Sequence, residues 1–220
     1  MRCVLSTSEP LILGFDTSAA HCAAALLSGD RVLAATHEEM GKGQAERLMP
    51  LIAELLEAGG VTLSELDAIG VGVGPGNFTG IRISVSAARG LALALGIPAV
   101  GVGTLEARAH GLPRPVTVIE DARRGEVYVQ DVDGGAPEAP ILLDAGEVGL
   151  ALSSDRVTGT GAASIPGVTY LPPAMPLAVA IARIAATRYP DPTLPRPAPL
   201  YIRAADAAPS RERGPAILTS

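Results

Sequence analysis

The residues best equipped for chemistry sit in four short stretches. Asp16-Thr17-Ser18 places a carboxylate beside two hydroxyls between two apolar runs. Such a turn can hold a phosphate or a hydrated metal, or it can close a hairpin as an Asx-turn. Gly74-Pro75-Gly76-Asn77-Phe78-Thr79-Gly80 leads from an apolar run into a helical pattern. Its glycines permit a sharp bend or a close backbone approach. Thr79 is placed to cap the helix that follows, and free N–H groups at a helix start attract anions. The stretch lacks the P-loop lysine and the GxGxxG spacing of a dinucleotide fingerprint, so a purely structural turn reads equally well. Asp121-Ala122-Arg123-Arg124 offers mixed charge at a strand end, as turn chemistry or as a partner contact. Gly159-Thr160-Gly161 is a candidate second phosphate loop.

Metal chemistry finds little support. The histidines are His21, His37 and His110, and no two stand four residues apart. His110 precedes Gly111, as a residue at a helix C-terminus does. Cys3 and Cys22 form no CxxC pair. Cys22 lies in the apolar run 22–27, where a thiol serves as a small buried hydrophobe.

The 220 residues are 48% hydrophobic with no Trp, two Phe and four Tyr, so the core must be aliphatic. The net charge of −6 and the scarcity of aromatic rings argue against a protein that grips RNA alone, by phosphate contacts or by base stacking. Polar residues at 6–9 and Pro10 interrupt any signal-peptide core, and Gly96 and Pro98 break the apolar stretch 90–105. A soluble cytoplasmic protein with no membrane span is expected.

These stretches need elements to position them. Short apolar runs at 11–15, 22–27 and 31–36, separated by turn residues, predict an antiparallel meander. Apolar recurrence at i, i+3 or i+4 and i+7 predicts a helix over 44–58. A buried strand at 68–73, a helix at 79–95 and a strand at 99–102 follow. All five strands are expected in one mixed sheet. Residues 105–110 read as a weak helix, and 111–115 as the boundary between two lobes. Beyond it come strands at 116–120, 126–132, 141–143 and 156–158, a short helix over 144–152, a helix at 177–188 and a last strand at 200–203. The expected division is an N-terminal lobe 1–112, a smaller C-terminal lobe 113–203 and a flexible tail 204–220, in an α/β chain.

Several stretches together carry a resemblance. LILGFDTS at 11–18, QAERLMPLI at 44–52, GPGNFTGIRISVSAARGLA at 74–92, DARRGEVY at 121–128 and PLYIR at 199–203 are similar, in the same order, to the TsaB (YeaZ) family. Two departures are Asn77, where the family usually has serine, and Gly43-Gln44, where it usually has a His-Ser or His-Thr pair. The resemblance implies an actin-like ATPase (ribonuclease-H-like) fold of two lobes with a reduced C-terminal lobe. It implies a non-catalytic scaffold and activator of TsaD, acting with TsaE in threonylcarbamoylation of the tRNA adenosine beside the anticodon. It further implies no catalytic residue, metal or cofactor, a heterodimer with TsaD, a homodimer when alone, and tRNA met only through the complex. Asp16, Thr17 and Ser18 would be a vestigial nucleotide site, and Gly74, Pro75, Gly76, Asn77, Thr79 and Gly80 the signature loop. Leu48, Met49, Ile52, Arg82, Ala87 and Gly90 would meet the partner.

TsaD carries a two-histidine HMEGH metal motif, and this chain has Thr104-Leu105-Glu106-Ala107-Arg108 at the matching place. A hydroxyl is a poor metal ligand and a guanidinium is none. That weakens a metallopeptidase reading. The other rival is an ATP-binding kinase or ATPase of the same fold, which would need a second phosphate loop and an adenine pocket.

Overall fold

The computed structural model describes residues 9–135, 138–163 and 165–202, apart from the side chains at 150 and 151. The expected strand at 200–203 and tail at 204–220 therefore lie partly or wholly outside the described residues.

Two five-stranded sheets organise the chain. The first contains β1 (Leu11–Asp16), β2 (His21–Ser28), β3 (Arg31–Glu39), β4 (Ala68–Gly72) and β5 (Ala99–Val102), in the order β3-β2-β1-β4-β5. The meander β1-β2-β3 is antiparallel, while β4 and β5 run parallel to β1. This is the mixed sheet that the strand pattern predicts. β1, β2 and β4 are buried almost throughout, because helices cover both of their faces. β3, at the sheet's edge, has only half-buried and exposed positions.

On one face lie α1 (Gln44–Gly59) and α2 (Phe78–Leu95), whose Leu48, Leu51, Ile52, Ile81 and Val85 close over Leu13, Phe15, Leu26 and Val71. Cys22 belongs to this cluster, and burial pushes its thiol up to about 11. Among the described residues α2 is the one helix long and apolar enough to cross a membrane, and its buried residues pack against this sheet. On the other face lies the helix α5 (Leu177–Arg188), whose Ala178, Ile181, Ala182 and Ala185 meet Ile12, Ala25 and Ala68. A Cβ on Gly14 would lie 2.6 Å from the Ala178 carbonyl, so glycine lets α5 settle onto β1. This corrects the expected division. Chain order alone places α5 in the C-terminal lobe, yet its buried residues complete the core of the first sheet.

The second sheet has the order β10-β9-β6-β7-β8, from β6 (Val116–Asp121), β7 (Glu126–Val132), β8 (Ile141–Asp144), β9 (Arg156–Thr158) and β10 (Thr169–Tyr170). The helix α4 (Val148–Ala151) is shorter than the 144–152 expected, and the two-residue β10 gives no periodic signal. Ile119, Val127, Val129 and Val157 form one cluster. On the opposite side Val116, Val118 and Val132 meet Leu105 and Ala109 of α3 (Thr104–Ala109). That short helix also packs against α5, so it lies between the two sheets. Leu200 extends no strand, but its N–H donates to the Val73 carbonyl at 2.8 Å, bringing 200–202 back beside the first sheet.

Candidate functional site

A cleft of about 740 Å³ opens between the loops after β1, β4 and β5 and the β6–β7 turn. Crevices outside the carboxyl ends of parallel strands are where α/β sheets usually hold ligands. The structure shows what each candidate residue does there.

Asp16 is fully buried. Its Oδ1 accepts from Ser18 N at 2.9 Å and Ser18 Oγ at 2.8 Å, and lies 2.7 Å from His21 Nε2. Its Oδ2 has no hydrogen-bond partner and points at Gly72, where a Cβ would collide with it. Thr17 Oγ1 donates to the Gly80 carbonyl at 2.7 Å. The Ser18 carbonyl accepts Asn77 N–H at 2.6 Å. The Asx-turn reading of Asp16-Thr17-Ser18 is therefore what the local geometry contains.

The glycine loop is the other half of the same lock. A Cβ on Gly76 would collide with the Ser18 carbonyl, and one on Gly80 with the Thr17 carbonyl. These two glycines allow close approach to the first loop, with Gly80 63 positions from Thr17 in the chain. The expected cap also changes. Asn77, and not Thr79, caps α2, with Oδ1 accepting from Thr79 N at 3.0 Å and Gly80 N at 3.1 Å. Asparagine immediately before the helical pattern was the available signal. The N–H groups expected to attract an anion are thus partly filled by the chain's own side chain.

Thr104 and Arg108 line the far wall. Thr104 Oγ1 donates to the Pro75 carbonyl at 2.9 Å, and Thr104 N donates to the Gly74 carbonyl at 2.9 Å. Arg108 Nε lies 3.0 Å from Glu120 Oε1, an ion pair too bent to be a hydrogen bond. Burial pushes the Glu120 carboxyl above its ordinary range, and Arg108 opposes that shift. Thr160 Oγ1 donates to Glu120 Oε2 at 3.3 Å and accepts Asp121 N–H at 2.9 Å, while a Cβ on Gly159 would collide with the Ile119 carbonyl. Gly159-Thr160-Gly161 is accordingly packed onto the end of β6. Burial, and then Arg183, push the His110 imidazole down at the end of α3. Among the described residues no three His, Cys, Asp or Glu side chains gather as metal ligands.

The six residues expected to meet a partner divide in two. Leu48 and Ile52 are each 1% exposed and belong to the core under the first sheet. α1 places them inward because both fall on its apolar stripe. Met49 is 42% exposed, Arg82 and Gly90 are exposed, and Ala87 is half-buried. Leu93, one turn beyond Arg89 on α2, is 83% exposed. The sequence reading missed two aromatic neighbours of Arg82. Its guanidinium carbon stands 3.8 Å over the Phe78 ring, and its Nε donates to Tyr201 Oη at 2.9 Å. Tyr201 lies 119 positions from Arg82, which hides it from any local pattern, whereas Phe78 stands one helical turn before Arg82 and was legible at that spacing.

A family model described as TsaD, tRNA N6-adenosine threonylcarbamoyltransferase, matches residues 36–138. The tRNA threonylcarbamoyladenosine biosynthesis protein TsaB of Escherichia coli K12 is 38% identical over 122 residues, which is 53% of this chain and 52% of that protein. The match thus spans about half the length of that curated relative. The solved structure of YeaZ from Pseudomonas aeruginosa superposes with a TM-score of 0.70 at 30% identity, covering 87% of this chain and 99% of that one. Component A of the (R)-2-hydroxyglutaryl-CoA dehydratase of Acidaminococcus fermentans, at 13% identity and a TM-score of 0.56 over 83% of this chain and 100% of that one, shares the fold.

Proposed function

Since the chain belongs to the TsaB (YeaZ) family, with its actin-like ATPase fold, we propose that it serves tRNA threonylcarbamoyladenosine biosynthesis as a non-catalytic subunit. In this reading it binds and activates a TsaD-family transferase, works with TsaE in the cytoplasm, pairs with itself when alone, and meets tRNA only through the complex.

The observation that carries the reading is the contrast between the cleft and the outer helices. In the cleft, Asp16 Oδ1 and the Thr17 and Ser18 hydroxyls are engaged with their own chain, and Asp16 Oδ2 is turned inward against Gly72. An ATPase needs such groups turned toward phosphate and metal. Thr104 and Arg108 stand where a metallopeptidase of this superfamily would need ligands. Outside, Met49, Ala87, Gly90 and Leu93 present apolar and small surface on α1 and α2. A Cβ on Gly90 would meet nothing within 4 Å, so no packing inside the chain calls for glycine there. Glycine in a helix interior costs about 1 kcal/mol against alanine, and close approach of a second helix accounts for it.

The test is co-expression with the TsaD homologue of the same organism, followed by size-exclusion chromatography. The pair is expected to co-elute. Met49→Glu and Ala87→Glu should stay folded and lose both the pair and the homodimer, whereas Leu48→Glu should lose its cooperative melt. ATP should leave the melting temperature of the isolated chain unchanged. A pair that survives both surface substitutions would refute this choice of face.

A further inference from the structure

Among the described residues several arginines face carboxylates: Arg47 meets Glu38 and Glu54, Arg108 meets Glu120, Arg183 meets Asp30, and Arg188 meets Glu106. Arg82 and Arg89 on α2 face none among the described residues, and the 18 residues of α2 include no Asp or Glu. The two lie seven positions apart, two helical turns and about 10 Å along one face. Ser86 stands between them and Leu93 continues the stripe. Beside it, Ile83, Ala87, Gly90 and Ala94 form a parallel stripe that is mostly small.

Arg82 is held before anything binds. Phe78 and Tyr201 stack with ring centres 4.7 Å apart, the guanidinium lies over Phe78, and Nε is fixed on Tyr201 Oη. Its terminal nitrogens remain as a paired donor fork, the geometry that suits a carboxylate. A shallow groove of about 460 Å³ runs between Arg82, Val85, Ser86, Arg89, Pro199 and Tyr201.

The geometry points to a carboxylate-reading anchor on the partner face. α2 receives a helix of the partner protein that carries two acidic side chains seven residues apart, one for Arg82 and one for Arg89. The small stripe allows that helix to come close, and the arginine–aromatic cluster is the kind of rigid anchor that dominates interfaces. A protein partner is favoured over an RNA phosphate backbone by the chain's net charge of −6 and by exposed Leu93, one turn beyond Arg89 on α2. This inference rests on the proposed role as a TsaD-binding subunit and names the chemistry of that contact.

The experiment measures affinity and association rate for the co-purified TsaD homologue at low and high salt. Wild type, R82E/R89E and R82K are compared as full chains, with melting curves alongside. Both arginines are exposed, so the melts should coincide. The double variant is expected to lose about 100-fold in affinity, and its association rate should no longer fall with salt. R82K keeps the charge but loses the stacked fork, and should weaken binding by about 10-fold. A double variant that binds like wild type, with the same salt dependence, overturns the inference and leaves the proposed function standing. A wild-type chain that does not bind the homologue at all removes both. Arginine-dependent binding of unmodified tRNA by the isolated chain would replace the carboxylate with phosphate and also overturn it.

Discussion

Residue 77 joins two motifs through one side chain and one backbone group. The Asn77 N–H is donated to Ser18, and its Oδ1 caps α2. Asn77→Ala is expected to remove the cap at about 1 kcal/mol, a fall in Tm of about 2–4 °C for a chain of this size. Asn77→Ser should stay within a few tenths of a kcal/mol of wild type, because serine caps equally well. Thr79→Ala should be close to neutral. Thermal melts of the three variants check this, and a Thr79→Ala loss larger than that of Asn77→Ala would return the cap to Thr79. The motif at 74–80 was legible as a tight turn into a helix. Its partner was not, because Thr17 and Ser18 lie about 60 positions away and hydrogen-bonded closure leaves no periodic trace.

Among the elements, α3 is short, yet it is tied on both sides. Glu106 is bonded through both carboxylate oxygens to Arg188 of α5, one of these contacts at 3.2 Å, and Arg108 is paired with Glu120 of β6. The helix thus links the layer under the first sheet to the second sheet. Glu120 is mostly buried, and burial raises its folded pKa above the ordinary carboxylate value. For a raised acid, the stabilising form is the protonated one. Its contribution is complete below the ordinary value and is lost as pH rises through the folded value. Removing Arg108 takes away the group that opposes the rise. Arg108→Met should therefore destabilise the chain by about 2 kcal/mol at neutral pH, with the deficit shrinking as pH is lowered toward 5. Glu120→Gln in the same background should recover most of it. Urea melts at several pH values test this, and a pH-independent deficit would mean that Arg108 acts through packing alone. At this scale the sequence spoke unevenly. α1 was legible by the helical period of its apolar residues, α2 as an apolar stretch closed by Gly96 and Pro98, and the strands of the first sheet as short apolar runs bounded by turn residues. α5 was legible as a helix but not in its placement. Eight of its twelve residues are buried, on nearly every side, so no single apolar stripe tells which sheet it serves.

Across the whole molecule, neighbouring residues of one helix meet opposite surroundings. Leu48 belongs to the core and Met49 to the surface, about 100° apart on α1. The sequence marked both as apolar and could not separate them, because α1 carries a wider apolar arc than one sheet needs. The separation gives Gly90 its meaning. Its neighbours in the chain leave room for a methyl group, and alanine is the better helix former. Gly90→Ala should therefore stabilise the isolated chain by about 1 kcal/mol, raising Tm by about 2–4 °C. The same methyl group placed between two helices in close contact forces them apart, at about 1–3 kcal/mol for an overpacked site. Affinity for the TsaD homologue, and for a second copy, should fall by about 10-fold or more. The two measurements move in opposite directions only if this part of α2 is a contact. Stability that rises with affinity unchanged would place the contact elsewhere on the molecule. A fall in stability would mean that α2 is packed more tightly within its own chain than the open space at Gly90 indicates.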